Sequence, residues 1–161
     1  MSQMIKVGMA DLNICKSPNA ITTLGLGSCI GIAIYDPVTK IGGLAHIMLP
    51  DSTKIRNNSN IAKFADTGIT ELVNRMIRAG ANKSRMVAKI AGGAKMFEVK
   101  GSDVVGSIGQ KNAIASKQKL KELGIRLIAE DTGLNYGRTV ELHCDTGEYY
   151  IKSVGKPLKI I

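Results

Sequence analysis

Cys29-Ile30-Gly31-Ile32-Ala33-Ile34-Tyr35 is the stretch on which the architecture turns. Side chains alternate between the faces of a strand, so Ile30, Ile32 and Ile34 share one face while Gly31 and Ala33 occupy the other. A short β-branched run that is apolar on both faces reads as a strand buried between two layers. Asp36-Pro37-Val38-Thr39-Lys40 is turn chemistry. Residues 41–48 then return as a second strand, and 29–48 together read as a hairpin.

Working outward, residues 4–9 and 20–24 read as strands, and Cys15 in Asn13-Ile14-Cys15-Lys16 looks like a strand residue. Asp51 to Asn60 is polar and loop-like. Ile61, Phe64, Ala65, Leu72, Val73, Met76 and Ile77 then recur at helical spacing, with Asn60 as cap and Gly80 as stop. Residues 86–91 form a strand running into Gly92-Gly93. The pattern predicts a second helix over 112–123, capped by Asn112 and ended by Gly124. Strands follow at 125–130, 138–144 and 148–153, the last two joined by the turn Asp145-Thr146-Gly147-Glu148. This order lacks strict βα alternation and predicts one α+β domain over residues 1–161, mostly antiparallel, with helices on one side.

Composition removes several function classes. Lys and Arg number 22 against 13 Asp and Glu, a formal charge of 22 − 13 = +9. The 44% hydrophobic and 22% charged fractions are those of a folded globular chain. No apolar run approaches the roughly 18–20 residues of a membrane span, and Met1-Ser2-Gln3-Met4-Ile5-Lys6 does not resemble a signal peptide. The basic residues are scattered and aromatics make up only 4%, so nucleic-acid binding is not expected, although Phe64, Phe97 and the tyrosines could stack. Three cysteines, Cys15, Cys29 and Cys144, do not form a disulfide framework, and a cytoplasmic protein with reduced thiols is expected. Two histidines and scattered cysteines give no zinc spacing. His143 and Cys144 are adjacent in a strand and point apart, so both, like Cys15, read as core or incidental residues.

Gly25-Leu26-Gly27-Ser28-Cys29-Ile30-Gly31 carries the chemistry. It fails as a dinucleotide fingerprint, and the nucleophile-elbow reading of Gly27-x-Cys29-x-Gly31 lacks the helix that must follow. What remains is a cysteine at the start of a strand, behind two glycines that admit close backbone approach. A lone cysteine is more often a small buried hydrophobe. His46 changes the balance: a hairpin register that pairs it with Cys29, or offsets the two by two residues, sets both on one face. An adjacent imidazole can take the proton of a thiol whose free pKa is about 8.5. Such a base needs its second ring nitrogen held, and Thr23 is a candidate, although an extended chain would place it about 20 Å from Cys29 unless the chain turns at Gly25 and Gly27.

Four segments, Thr23–Cys29, Gly42–Asp51, Lys89–Phe97 and Ala129–Gly133, resemble the CheD family, the chemoreceptor glutamine deamidases of bacterial and archaeal chemotaxis, in order and over nearly the whole chain. The resemblance implies an α/β/β layered fold, a β-sandwich with helices covering one sheet. It also implies a hydrolase, a protein-glutamine glutaminase, that converts receptor Gln side chains to Glu. In that family Cys29 would be the nucleophile, His46 the general base and acid, and Thr23 the residue orienting His46. Gly27 and Ser28 in the turn would help to bind the oxyanion. No metal or organic cofactor is implied. The implied partners are the cytoplasmic helices of chemotaxis receptors and the phosphatase CheC. A mainly regulatory role as activator of CheC, and a small-molecule thiol hydrolase, are the alternatives. Leu134 departs from the pattern, standing where a second Gly is expected.

Overall fold

The computed structural model describes residues 2–96 and 107–161; Phe97 lies outside them. The apolar strand around Ile32 becomes β4 (Ile30–Asp36), the centre of a five-stranded sheet. Its neighbours run in the order β2 (Asp11–Lys16), β5 (Ile41–Ile47), β4, β6 (Val87–Gly92) and β7 (Arg126–Thr132). A second five-stranded sheet is ordered β1 (Met4–Val7), β3 (Ala20–Leu26), β8 (Arg138–His143), β9 (Glu148–Lys152) and β10 (Lys159–Ile160). Pairing is antiparallel except for β1–β3 and β6–β7. Two helices, α1 (Ala65–Arg78) and α2 (Ile108–Glu122), cover the first sheet on the face away from the second. The layers are therefore α/β/β, as the family resemblance implies.

The two faces of β4 explain this layering. Ile30, Ile32 and Ile34 pack with Ile69, Leu72 and Met76 of α1 and Leu120 of α2. Ala33 and Tyr35 face the other sheet and pack with Leu142, Tyr149 and Ile151. Burying a side chain of isoleucine size contributes about 1.5–3 kcal/mol, so both faces hold β4 in the middle layer.

Three expectations need correction. Asn60 does not start α1: its side chain accepts from Ala62 N and caps a single 3-10 turn at Ile61–Lys63, and α1 begins after Phe64. Asn112 does not cap α2, which starts a turn earlier at Ile108, with the Ser107 side chain accepting from Gln110 N at 3.2 Å. Gly109 and the exposed Ile108 break the apolar periodicity and hide that start in the sequence. Finally, Cys15 and Cys144 are joined as a disulfide, and only Cys29 is free. An odd cysteine count does not exclude one pair. Cys15 stands opposite Gly42 in the β2–β5 ladder, and a Cβ on Gly42 would lie 2.9 Å from Cys144 Sγ, so the missing side chain makes room for the sulfurs between the sheets.

The β4–β5 turn is held by Asp36, which is fully buried. Its carboxylate accepts from Arg85 Nε at 3.0 Å and Nη2 at 2.9 Å, and from the backbone N–H groups of Val38, Thr39 and Asn82. These donors, Arg85 foremost, outweigh burial and hold its pKa well below the usual carboxylate range. Asp36→Ala leaves several donors unpaired and should cost about 2–4 kcal/mol in urea unfolding at neutral pH. Because the folded pKa is depressed, this contribution is present above about pH 4 and lost as pH falls towards the folded value. The wild-type and Asp36→Ala stabilities should therefore converge in acid.

Candidate active site

The chain crosses from one sheet to the other between β3 and β4, and the crossing is Gly27-Ser28-Cys29. Gly25 lies within β3 where its register with β8 shifts, with φ +69°, a left-handed conformation that glycine adopts without penalty. Cys29 then lies just before β4. In the hairpin register Gly31 is opposite His46, so Cys29 is offset from His46 by two residues and shares its face. That face points at the second sheet: a Cβ on Gly31 would meet Tyr149 Oη, Leu26 and Val140.

Thr23 reaches His46 across the sandwich. Its Oγ1 lies 2.7 Å from His46 Nδ1 and 2.8 Å from the Val7 carbonyl oxygen. A carbonyl cannot donate, so the single hydroxyl proton goes to Val7 and the hydroxyl oxygen accepts from Nδ1–H. The network thus assigns the tautomer with the proton on Nδ1 and the lone pair on Nε2. Nε2 is buried and has no hydrogen-bond partner among the described residues. Val7, on the parallel neighbour of β3, has no counterpart among the sequence candidates; a main-chain carbonyl leaves no residue signature.

The turn before Cys29 is held through its carbonyls. Gly27 O accepts from Ala94 N at 2.9 Å, Cys29 O from Gly93 N at 2.9 Å, and Ser28 O from Asn112 Nδ2 at 3.0 Å. A side chain on Gly92, whose φ is +111°, would collide with the Cys29 carbonyl, which is why β6 ends in glycine. The N–H groups of Ser28 and Cys29 donate to no carbonyl among the described residues. Of the sequence candidates, Gly27, Ser28 and Cys29 form the sheet crossing and Thr23 bonds His46 across the sandwich, while His46 Nε2 makes no hydrogen bond to the Cys29 sulfur. Cys15 and Cys144 are engaged elsewhere, and His143 bonds Glu141 and packs on Tyr150. Among the described residues no cluster of metal-ligating side chains forms, and no helix is long and apolar enough to cross a membrane.

Residues 48–153 match the CheD family, described as CheD chemotactic sensory transduction. A Lachnoclostridium phytofermentans protein named probable chemoreceptor glutamine deamidase CheD is 60% identical over 161 residues, the full length of both chains. A Caldanaerobacter subterraneus protein of the same name is 52% identical over 160 residues, 99% of each. The chain belongs to the CheD family. The family match begins after His46, whereas the whole-chain relatives span the segment that carries Thr23, Cys29 and His46. In architecture the CheD chain is also similar to the crystal structures of Bacillus licheniformis hypothetical protein YfiH (TM-score 0.51, 18% identity, 78% of this chain and 51% of that one). A Neisseria meningitidis protein of the DUF152 family is likewise similar (TM-score 0.53, 13% identity, 81% and 64%). At such identities the likeness concerns the fold alone.

Burial governs the electrostatics of this CheD site. It pushes the Cys29 thiol up, against a smaller lowering by the residue's own backbone N–H, and it pushes the His46 imidazolium down. No carboxylate is bonded to Nδ1 among the described residues, so burial acts against charge on both the thiol and the imidazole. Alkylation of Cys29 by iodoacetamide should accordingly rise with pH through a midpoint above the free-thiol value of about 8.5. A plateau reached below pH 7, measured by mass spectrometry of the alkylated peptide, would identify a resting thiolate–imidazolium pair instead.

Proposed function

We propose that this CheD protein hydrolyses the side-chain amide of selected glutamines in chemotaxis receptors, with Cys29 as nucleophile and His46 as its base and acid. The observation that carries the reading is the Thr23-held His46 ring, with its free Nε2 on the face it shares with Cys29. The names borne by the relatives supply the substrate class.

The reaction balances with water as the only co-substrate. Cys29 Sγ attacks the carboxamide carbon while its proton passes to His46 Nε2, and a tetrahedral oxyanion forms. The N–H groups of Ser28 and Cys29 are the donors for that oxyanion. His46 then returns the proton to the amide nitrogen, the C–N bond breaks, and ammonia leaves behind a thioester. Water attacks the thioester carbon and gives a proton to Nε2. The thiol departs with that proton, and glutamate stands where glutamine was. Thr23 touches no reacting atom and acts by holding the ring. A net +9 chain is suited to meeting acidic receptor helices in the cytoplasm. Binding of a CheC-type phosphatase belongs to the same reading and rests on family resemblance.

Cys29→Ala and His46→Ala should each abolish ammonia release from a receptor fragment and the gain of about one dalton per converted glutamine. The double variant Cys15→Ala/Cys144→Ala should keep the activity. Thr23→Ala should lose roughly ten- to a thousand-fold in kcat/KM, about 1.4–4 kcal/mol, and Thr23→Ser should retain more. Deamidation surviving in Cys29→Ala would sink the thiol mechanism.

A further inference from the structure

Asn112 stands within α2, where asparagine is a poor helix former because its amide competes with the backbone for hydrogen bonds, and it is fully buried. Its Nδ2 donates to Ser28 O and to Met48 O, each at 3.0 Å. Two carbonyl acceptors fix which end of the amide is nitrogen. That leaves Oδ1 buried, with no partner among the described residues. A residue present only to stabilise the helix would not carry an uncompensated acceptor, since an apolar side chain of similar size would pack there at lower cost.

The two carbonyls flank the site. Met48 lies two residues beyond His46, and Ser28 immediately precedes Cys29. The Ser28 carbonyl and the Cys29 N–H belong to one planar trans peptide and point in opposite directions, so whatever holds the carbonyl aims the N–H. Ala94 and Gly93 hold the Gly27 and Cys29 carbonyls, and Ser28 O is held by Asn112. The helix comes close enough only because residue 109 is glycine: a Cβ there would lie 2.5 Å from Gly93 O.

We propose that Asn112 is a positioning residue for the nucleophile turn, tying it to the end of the His46 strand and aiming the Cys29 N–H at the developing oxyanion. The inference rests on the deamidase reading for its purpose, but its test does not depend on that reading alone. Because the same N–H faces the Cys29 sulfur and favours the thiolate, misaiming it should shift the alkylation profile of the free enzyme.

The test compares wild type with Asn112→Leu, which fills the space without donors, and Asn112→Asp, which keeps the shape but, once ionised, has no proton to donate. Thermal unfolding is recorded beside each activity. Both variants should lose about ten- to a hundred-fold in kcat on a receptor fragment, with KM within roughly threefold of wild type. The midpoint of iodoacetamide alkylation should move to higher pH by about half a unit or more. If Asn112→Leu fails to fold, Asn112→Asp carries the comparison. Wild-type kcat and an unmoved alkylation midpoint in a folded variant overturn the proposal, whatever its melting temperature. A wild-type enzyme that releases no ammonia overturns the deamidase reading, and the alkylation midpoint still decides the role of Asn112.

Discussion

A hydroxyl has one proton to give, and Thr23 gives its proton to the carbonyl of Val7. Everything else about His46 follows from that bond. The Thr23 oxygen is left to accept, Nδ1 must carry hydrogen, and the lone pair of Nε2 is aimed away from Thr23. Three strands from two sheets meet at this point: β1 supplies the carbonyl, β3 the hydroxyl and β5 the ring. A one-residue slip in any of these strands would turn its side chains to the opposite face. The orientation of the imidazole is therefore a readout of the register of the whole sandwich.

A threonine in this position differs from a carboxylate in one respect that matters. It fixes the tautomer without adding negative charge, so nothing offsets the cost of a buried imidazolium. Two neutral groups are cheap to bury at rest. In the thiol mechanism proposed above, the charge separation that accompanies attack would be met where it arises, on the substrate oxygen, by donors already in place. The pinned carbonyls of Gly27, Ser28 and Cys29 fix their own peptide planes, and in the proposed mechanism this is how a turn with no cationic side chain would present N–H groups to an anion.

The sequence made the local half of this site legible. The alternation Ile30-Gly31-Ile32-Ala33-Ile34 placed β4 between two layers, and a hairpin offset of two residues was one of the registers that bring Cys29 and His46 together. What depends on contact between distant segments was harder to read. On strand geometry alone Thr23 stood far from Cys29, because its approach to His46 crosses from one sheet to the other. Asn112 read as a cap because polar residues at the edge of an apolar pattern commonly are caps, and the true start at Ile108 was masked by Gly109. Cys15 and Cys144 are separated by 129 residues, and the cue to their meeting was the absence of a side chain at Gly42.

The position of the site in the layering follows from the same geometry. The turn at Gly27-Ser28-Cys29 is one of the places where the chain passes from one sheet to the other, so its two sides face different layers. The sandwich side carries His46, held by Thr23 of the neighbouring sheet. The helix side supplies the groups that hold the carbonyls, from the Gly92-Gly93-Ala94 segment and from Asn112 of α2. A turn within one sheet would have its polar groups committed to the ladder, whereas a crossing turn leaves them to be satisfied by whatever packs against it. The carbonyls are satisfied and the Ser28 and Cys29 N–H groups donate to no carbonyl among the described residues, a polarity that would suit the proposed oxyanion. In the proposed mechanism that polarity would serve the Cys29 thiol and the oriented His46 ring at the crossing between β3 and β4.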